Sequence, residues 1–143
     1  MAANENGLKT FDLSVVTPGG SVFDGEAQML VVPGAAGEIG VLARHAPLVA
    51  MLKAGEIRVK ASGEWQSFAA GPGFFKVQRD RAIVLVDDAV RAEEIDVAEA
   101  RREVEEARSL VERAEAGEEG IDRWLAEERL RHAENKVAVA GRA

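Results

Sequence analysis

Few side chains in this 143-residue chain are of a type and spacing to do chemistry. His45 is the only histidine ahead of the last stretch of the chain. As a general base it would need a nucleophile to deprotonate or a carboxylate to orient it. Asp87 and Asp88 are the acids that could serve, but no serine elbow and no metal-ligand spacing accompanies His45. The other reading of His45 is a corner histidine bonded to backbone. The acidic pairs Asp87-Asp88 and Glu93-Glu94 fit neither a calcium nor a zinc template. A strand end followed by acids at a helix N-terminus, where they favour the macrodipole, accounts for them better. The chain has no cysteine, hence no disulfide and no thiolate ligand. No phosphate-cradling glycine loop is present either. No catalytic residue, no metal and no cofactor is therefore expected.

The remaining charged residues suit surfaces. Glu38 sits in a glycine-bracketed turn, and Arg44 lies beside the His45-Ala46-Pro47 corner. Residues 1–90 hold 8 Lys/Arg against 10 Asp/Glu, and residues 91–143 hold 10 against 15, so charge concentrates in the tail. Within the tail, Arg123, Arg129, Arg131, Lys136 and Arg142 bias the last segment to positive, after a strongly acidic one. Complementarity between the two segments plus solvation is the plain account of that pattern. The formal net charge of −7 speaks against nucleic-acid binding, which needs a basic footprint. No apolar run of about eighteen residues is present, so direct membrane insertion by a helix is not expected. The leading residues Met1 to Lys9 are polar, which predicts an unsecreted protein.

These residues need elements to position them. Phe11, Leu13 and Val15 alternate along a strand that Pro18-Gly19-Gly20 ends. Short strands follow over Ser21–Glu26 and Ala27–Val32, and then comes the punctuated stretch Gly37–Gly55. There Pro47 lacks an N–H and biases Ala46 to extended backbone, so two short strands should meet at a fixed corner. Ser62-Gly63 and Arg79-Asp80 read as hairpin turns between further strands, up to the apolar run Ala82–Val86. Strands separated by Gly and Pro turns predict an N-terminal antiparallel β-sandwich over 8–90.

From Glu93 the period changes. Val97, Ala100, Val104, Ala107, Val111 and Ala114 recur at spacings of three and four, as do Ala126, Leu130, Ala133, Val137 and Ala140. A break at Gly117–Gly120, with Asp122 as N-cap of the next helix, predicts a C-terminal antiparallel α-helical hairpin over 91–143. An Ala/Val seam buries little area per layer, so the hairpin is expected to be marginally stable and able to detach from the sandwich or open.

The motifs G-E-I-G-V-L, H-A-P-L and K-A-G-E-I-R-V, in this order and spacing, carry a resemblance. With the β-rich front and two-helix tail, the chain resembles the epsilon chain of bacterial F-type ATP synthases over nearly its whole length. The resemblance implies a non-catalytic central-stalk subunit that couples proton flow to ATP synthesis by rotation and restrains ATP hydrolysis through its helices. It implies as partners the gamma subunit, the membrane rotor ring of c subunits, and the catalytic beta and alpha subunits. It places the protein peripherally at the cytoplasmic face of the cell membrane. It assigns Glu38 and Arg44 to the rotor ring, and His45 and Pro47 to gamma. Arg123, Arg129, Arg131 and Lys136 it assigns to an acidic loop of beta. Some family members bind ATP through [IL]-D-x-x-R-A, of which Ile95, Asp96 and Ala100 are present here, but Glu99 stands in the arginine position and repels phosphate. Arg101 and Arg102 compensate only in part, so ATP binding is disfavoured and Asp96 reads as a helix N-terminal acid. Two other classes stay open: a stand-alone nucleotide-binding or protein-interaction module with its pocket between sandwich and hairpin, and an enzyme using His45 with Asp87 or Asp88.

Overall fold

A computed structural model describes residues 9–142. The expectation about the polar leading segment falls almost wholly outside them. Ten strands run in the order β1 (Phe11–Thr17), β2 (Gly20–Ala27), β3 (Met29–Gly34), β4 (Gly37–Val41), β5 (Leu48–Leu52), β6 (Gly55–Ala61), β7 (Glu64–Ala70), β8 (Gly73–Gln78), β9 (Arg81–Val86) and β10 (Ala89–Arg91). A 3-10 turn over Ala92–Glu94 leads into α1 (Val97–Glu115) and α2 (Arg123–Arg142).

The hydrogen-bonded path β10-β7-β6-β3-β5-β8-β9-β1-β2 carries β4 on β3. β3 and β5 meet at the single pair Gly34↔Leu52, so the sheet folds there into two leaves. One leaf is β10, β7, β6, β3 and β4, and the other is β5, β8, β9, β1 and β2. The alternating inward residues of both leaves, Leu13, Val15, Leu30, Val32, Ile57, Val59, Phe68, Phe75 and Val84 among them, fill one core and are almost fully buried. That alternation is the half-buried strand pattern expected of a sandwich. Two features were not anticipated. β10 adds a short strand to β7, through Ala89↔Ala70 and Arg91↔Phe68. β1 pairs with β9 in parallel, from Asp12↔Arg81 to Val16↔Leu85, so the sandwich is not purely antiparallel. Sequence periodicity reports which face of a strand is buried, not which neighbour it chooses.

The tight turns show their chemistry in the backbone. Ser62 (φ 53) and Gly63 (φ 78) turn β6 into β7, and Arg79 (φ 53) and Asp80 (φ 59) turn β8 into β9. Left-handed conformation at two consecutive positions is what a two-residue hairpin turn demands. At Arg79-Asp80 it is met without glycine, at a cost in strain. At Gly73, an added Cβ would lie 2.0 Å from the backbone oxygen of Leu85, so the strands there pass where only glycine fits.

α1 begins at Asp96, whose Oδ1 accepts from Glu99 N at 3.1 Å. The helix thus starts a turn later than the apolar spacing from Glu93 suggested, because residues 92–94 form the 3-10 turn and Ile95 is extended. Asp122 caps α2 in the same way, accepting from Leu125 N at 3.1 Å. The helices pack against each other along Ala100, Val104, Ala107, Ala126 and Ala133, all buried. Arg113 grips Glu118 through two bonds of 2.6 Å across the hairpin turn. These bonds hold the Glu118 carboxyl below the usual carboxylate range.

Candidate functional site

The sandwich has two ends, and the residues singled out in the sequence divide between them. At the first end lie the start of β5, the β6–β7 and β8–β9 turns and the loop 42–47. Here Arg44 takes a left-handed conformation (φ 65), and its N–H donates to Asp80 Oδ1 at 2.5 Å. His45 Nδ1 donates to Ala46 O at 2.6 Å, which places the imidazole proton on Nδ1. His45 is thus a corner histidine bonded to backbone, and Pro47 is exposed just ahead of β5.

Asp87 and Asp88 follow β9 at the opposite end of the sandwich from His45. Neither can orient its ring, and the enzyme reading loses its geometry. Among the described residues, no group of three or more His, Cys, Asp or Glu is placed to hold a metal ion.

Glu38 stands at the other end of β4, opposite Pro33, with Arg58 Nη2 3.5 Å from its Oε2. β4 carries the chain from Glu38 to Val41, and Arg44 lies in the turn beyond it, closed by His45 N to Leu42 O at 3.2 Å, so the two residues sit at opposite ends of the strand. They do not share a rim as expected; one flat contact that takes Glu38 leaves Arg44 out.

The second end also receives the hairpin, and the contact is made chiefly by α2. One face of α2, spaced 132, 135, 139 and 142, supplies it. His132 Nε2 is 2.9 Å from Asp88 Oδ2. Asn135 Nδ2 donates to Gly55 O at 2.9 Å and Ala70 O at 3.3 Å, closing the open end of the β6–β7 ladder. Val139 is fully buried among Ala69, Ala92 and Ile95. Arg142 Nε reaches Glu56 Oε1 at 3.3 Å. The expected seam carried Val137 and Ala140 and omitted this second stripe. Its sequence signal is Asn135, a poor helix former inside a helix of Ala, Glu and Arg.

The basic residues of α2 are mostly spoken for within the hairpin. Arg123 pairs with Glu115 and Glu127, Arg131 with Glu128, and Lys136 with Glu103 of α1 at 3.0 Å. Lys136 is also the most buried of them, its side chain 16 % exposed. Arg129 alone of the four nominated cations has no ion pair among the described residues; it lines a cleft of about 290 Å3 with Asp87, Asp88 and His132. The three residues nominated for nucleotide each serve the fold instead. Ile95 packs at the docking seam, Asp96 caps α1, and Ala100 is buried in the helix–helix contact.

The outward face of the second leaf exposes a row of apolar side chains. Met51↔Phe74↔Leu85↔Val16 form one cross-strand row, with Val49 and Ile83 in the next. Met51 is 66 % and Val49 60 % exposed. Lys76, Arg79 and Arg81 edge this face. A contiguous apolar patch with a charged edge is the anatomy of a protein-binding surface. No helix among the described residues is long and apolar enough to cross a membrane.

Comparison with known proteins agrees with this architecture. Residues 10–92 match the family model described as the ATP synthase, Delta/Epsilon chain, beta-sandwich domain. The ATP synthase epsilon chain of Halalkalibacterium halodurans is 38% identical over 135 residues, which cover 94% of this chain and 100% of that one. That of Desulforamulus reducens is 42% identical over 92% of this chain and 98% of its own length. The sodium-ion-specific epsilon chain of Propionigenium modestum is 37% identical over 93% and 95%. Among solved structures, a chain of the Euglena gracilis mitochondrial ATP synthase (OSCP/F1/c-ring in rotational state 1) superposes with a TM-score of 0.78. At 23% identity over 96% of this chain and 86% of that one, it shows the shared fold.

Proposed function

The chain belongs to the epsilon-chain family of ATP synthases, and from that membership we propose that it is a non-catalytic central-stalk subunit of an F-type ATP synthase. It turns with the rotor, and it couples proton flow to ATP synthesis without an active site of its own. The observation that carries this reading is end-to-end similarity to epsilon chains, sandwich and hairpin together, with no nucleophile–base pair formed by the residues that could have made one.

The apolar row Met51–Phe74–Leu85, reached from the His45–Pro47 corner along β5, supplies the surface for the gamma subunit. Glu38, at the far end of β4, is the residue available to the polar loops of the rotor ring, and Arg44 is not. The hairpin restrains hydrolysis by presenting α2 to the catalytic alpha and beta subunits. Arg129 is the cation already free to meet an acidic loop, whereas Arg123, Arg131 and Lys136 must first release their own carboxylates. ATP is not held by the hairpin: Asp96 is committed to its cap, and Glu99 faces the same helix start. The protein sits peripherally at the cytoplasmic face of the membrane, attached through its partners.

The test is ATP hydrolysis by the assembled catalytic head, with the full chain and with a chain ending after Ile95. That end point keeps β10 and the buried Ala92 in place. Hydrolysis is expected to rise in the truncated assembly while the sandwich stays bound. Equal hydrolysis in the two assemblies would show that the hairpin exerts no restraint, and failure of the full chain to join the assembly would sink the stalk assignment itself.

A further inference from the structure

A groove of about 500 Å3 runs over the outward face of the second leaf towards its first end, lined by Lys76, Gln78, Arg79, Arg81 and Ile83. Lys76 stands between Val49 and Ile83 in one cross-strand row, so the groove joins three cations to an apolar floor. None of the three cations forms an ion pair among the described residues, not even Arg81 with Asp12 across the ladder. No acid lines the groove. The chain's own helices leave it open: the hairpin docks at the other end, through His132 and Asp88, and no residue of α1 or α2 lines the groove.

The tip of the hairpin has the opposite character. Residues 112–128, from the last turn of α1 to the first turns of α2, hold 2 Lys/Arg against 7 Asp/Glu. Arg113 and Arg123 are already taken, by Glu118 and by Glu115 and Glu127. Glu112 and Glu119 are exposed and have no ion pair among the described residues. Beside these acids Trp124 is 67 % and Leu125 43 % exposed, in the first turn of α2. Burying such side chains is favourable, and Trp is among the residues that most often anchor an interface.

We propose that the groove receives the hairpin tip of a second copy of this chain, so that two free copies exchange tips in a closed dimer. The Trp124 indole lies on Val49 and Ile83 with the Lys76 ammonium against its face, and Leu125 extends the apolar contact. The tip carboxylates, Glu119 among them, answer Arg79 and Arg81. Neither surface suits itself: two grooves would set cation against cation, and two tips acid against acid, so the complementary contact is tip to groove. Each chain supplies one of each, and reciprocal exchange about a two-fold axis closes the pair. The contact does not rest on the stalk assignment, and a chain already seated in an assembly through this face is no longer free to make it.

The test is sedimentation equilibrium on the isolated full chain and on two variants, Trp124→Ala in the tip and Lys76→Glu in the groove. Both residues are exposed, so each variant keeps the fold. The full chain is expected to pass from monomer to dimer as its concentration rises, and each variant to weaken that association by about tenfold or more. An equimolar mixture of the two variants should associate more tightly than either alone, because one keeps an intact groove and the other an intact tip. A full chain that stays monomeric at millimolar concentration overturns the proposal and leaves the groove to a partner of different sequence. So does a dimer that both variants leave unchanged, or a mixture no tighter than its components, since either places the contact on other surfaces.

Discussion

Removing the Asn135 side chain amide should loosen the hairpin from the sandwich without disturbing either part. In Asn135→Ala, the bonds to Gly55 O and Ala70 O are lost. A neutral hydrogen bond contributes about 1 kcal/mol net, and an acceptor left without a partner costs more when water cannot reach it. Both carbonyls lie at the half-open end of a ladder, so water recovers part of the loss, and about 1–2 kcal/mol remains. That is roughly a 5- to 30-fold fall in the docking equilibrium. Alanine is the better helix former by roughly half a kcal/mol, so α2 itself gains from the change. The chain has no cysteine, so Val139→Cys introduces a single thiol at a fully buried point of the seam. Its alkylation rate then reports undocking directly, compared with and without Asn135→Ala. The expected result is a 5- to 30-fold faster reaction at position 139, with no change for a thiol placed instead at Val84 in the sandwich core. A rate that moves less than twofold would refute the view that Asn135 holds the hairpin down. Equal acceleration at both sites would mean global unfolding rather than release of the hairpin.

Two more expectations follow from the turns. Arg79→Gly should stabilise the chain by about 1 kcal/mol, because glycine adopts the left-handed conformation without the Cβ penalty; thermal melting should rise by a few degrees, about 2–4 °C for a chain of this size. At the hairpin turn, Arg113 lowers the Glu118 carboxyl, chiefly through their bidentate bond. The pair therefore stabilises the turn above the ordinary carboxylate range and loses that effect as pH falls through the lowered value. Following the Glu118 carboxyl by NMR titration should show its midpoint return to the ordinary value in Arg113→Gln, and an unchanged midpoint would remove the pair from the account.

The inward residues of the sandwich were legible because strand alternation is a local property: Phe11, Leu13 and Val15 name their own buried face. So was the start of α2, since Asp122 acts within three residues of itself, whereas α1 begins a turn beyond Glu93, at its Asp96 cap. What escaped is long-range. Nothing local in Asn135 or Val139 says that their partners lie at Gly55, Ala70 and Ala69, and the stripe they form overlaps the more obvious Ala/Val seam. Glu38 and Arg44 looked like neighbours because six positions are close in sequence; an intervening extended strand puts them at opposite ends of the sandwich. The paired state of Arg123, Arg131 and Lys136 was foreseeable as charge balance, but which cation stays free depends on the register between the helices.

The parallel pairing of β1 with β9 bears on how the chain is made. β1 is made before the other strands of the sandwich, and the residues it needs beside it, Arg81 to Leu85, come after all of them but β10. Until they emerge, β1 has only β2 for company, and Leu13 and Val15 have no finished core to enter. Closing so long a loop is slow in comparison with forming the hairpins in between. The nascent chain therefore spends most of the synthesis of its sandwich with one apolar strand edge open, on the leaf that later presents Met51, Phe74 and Leu85.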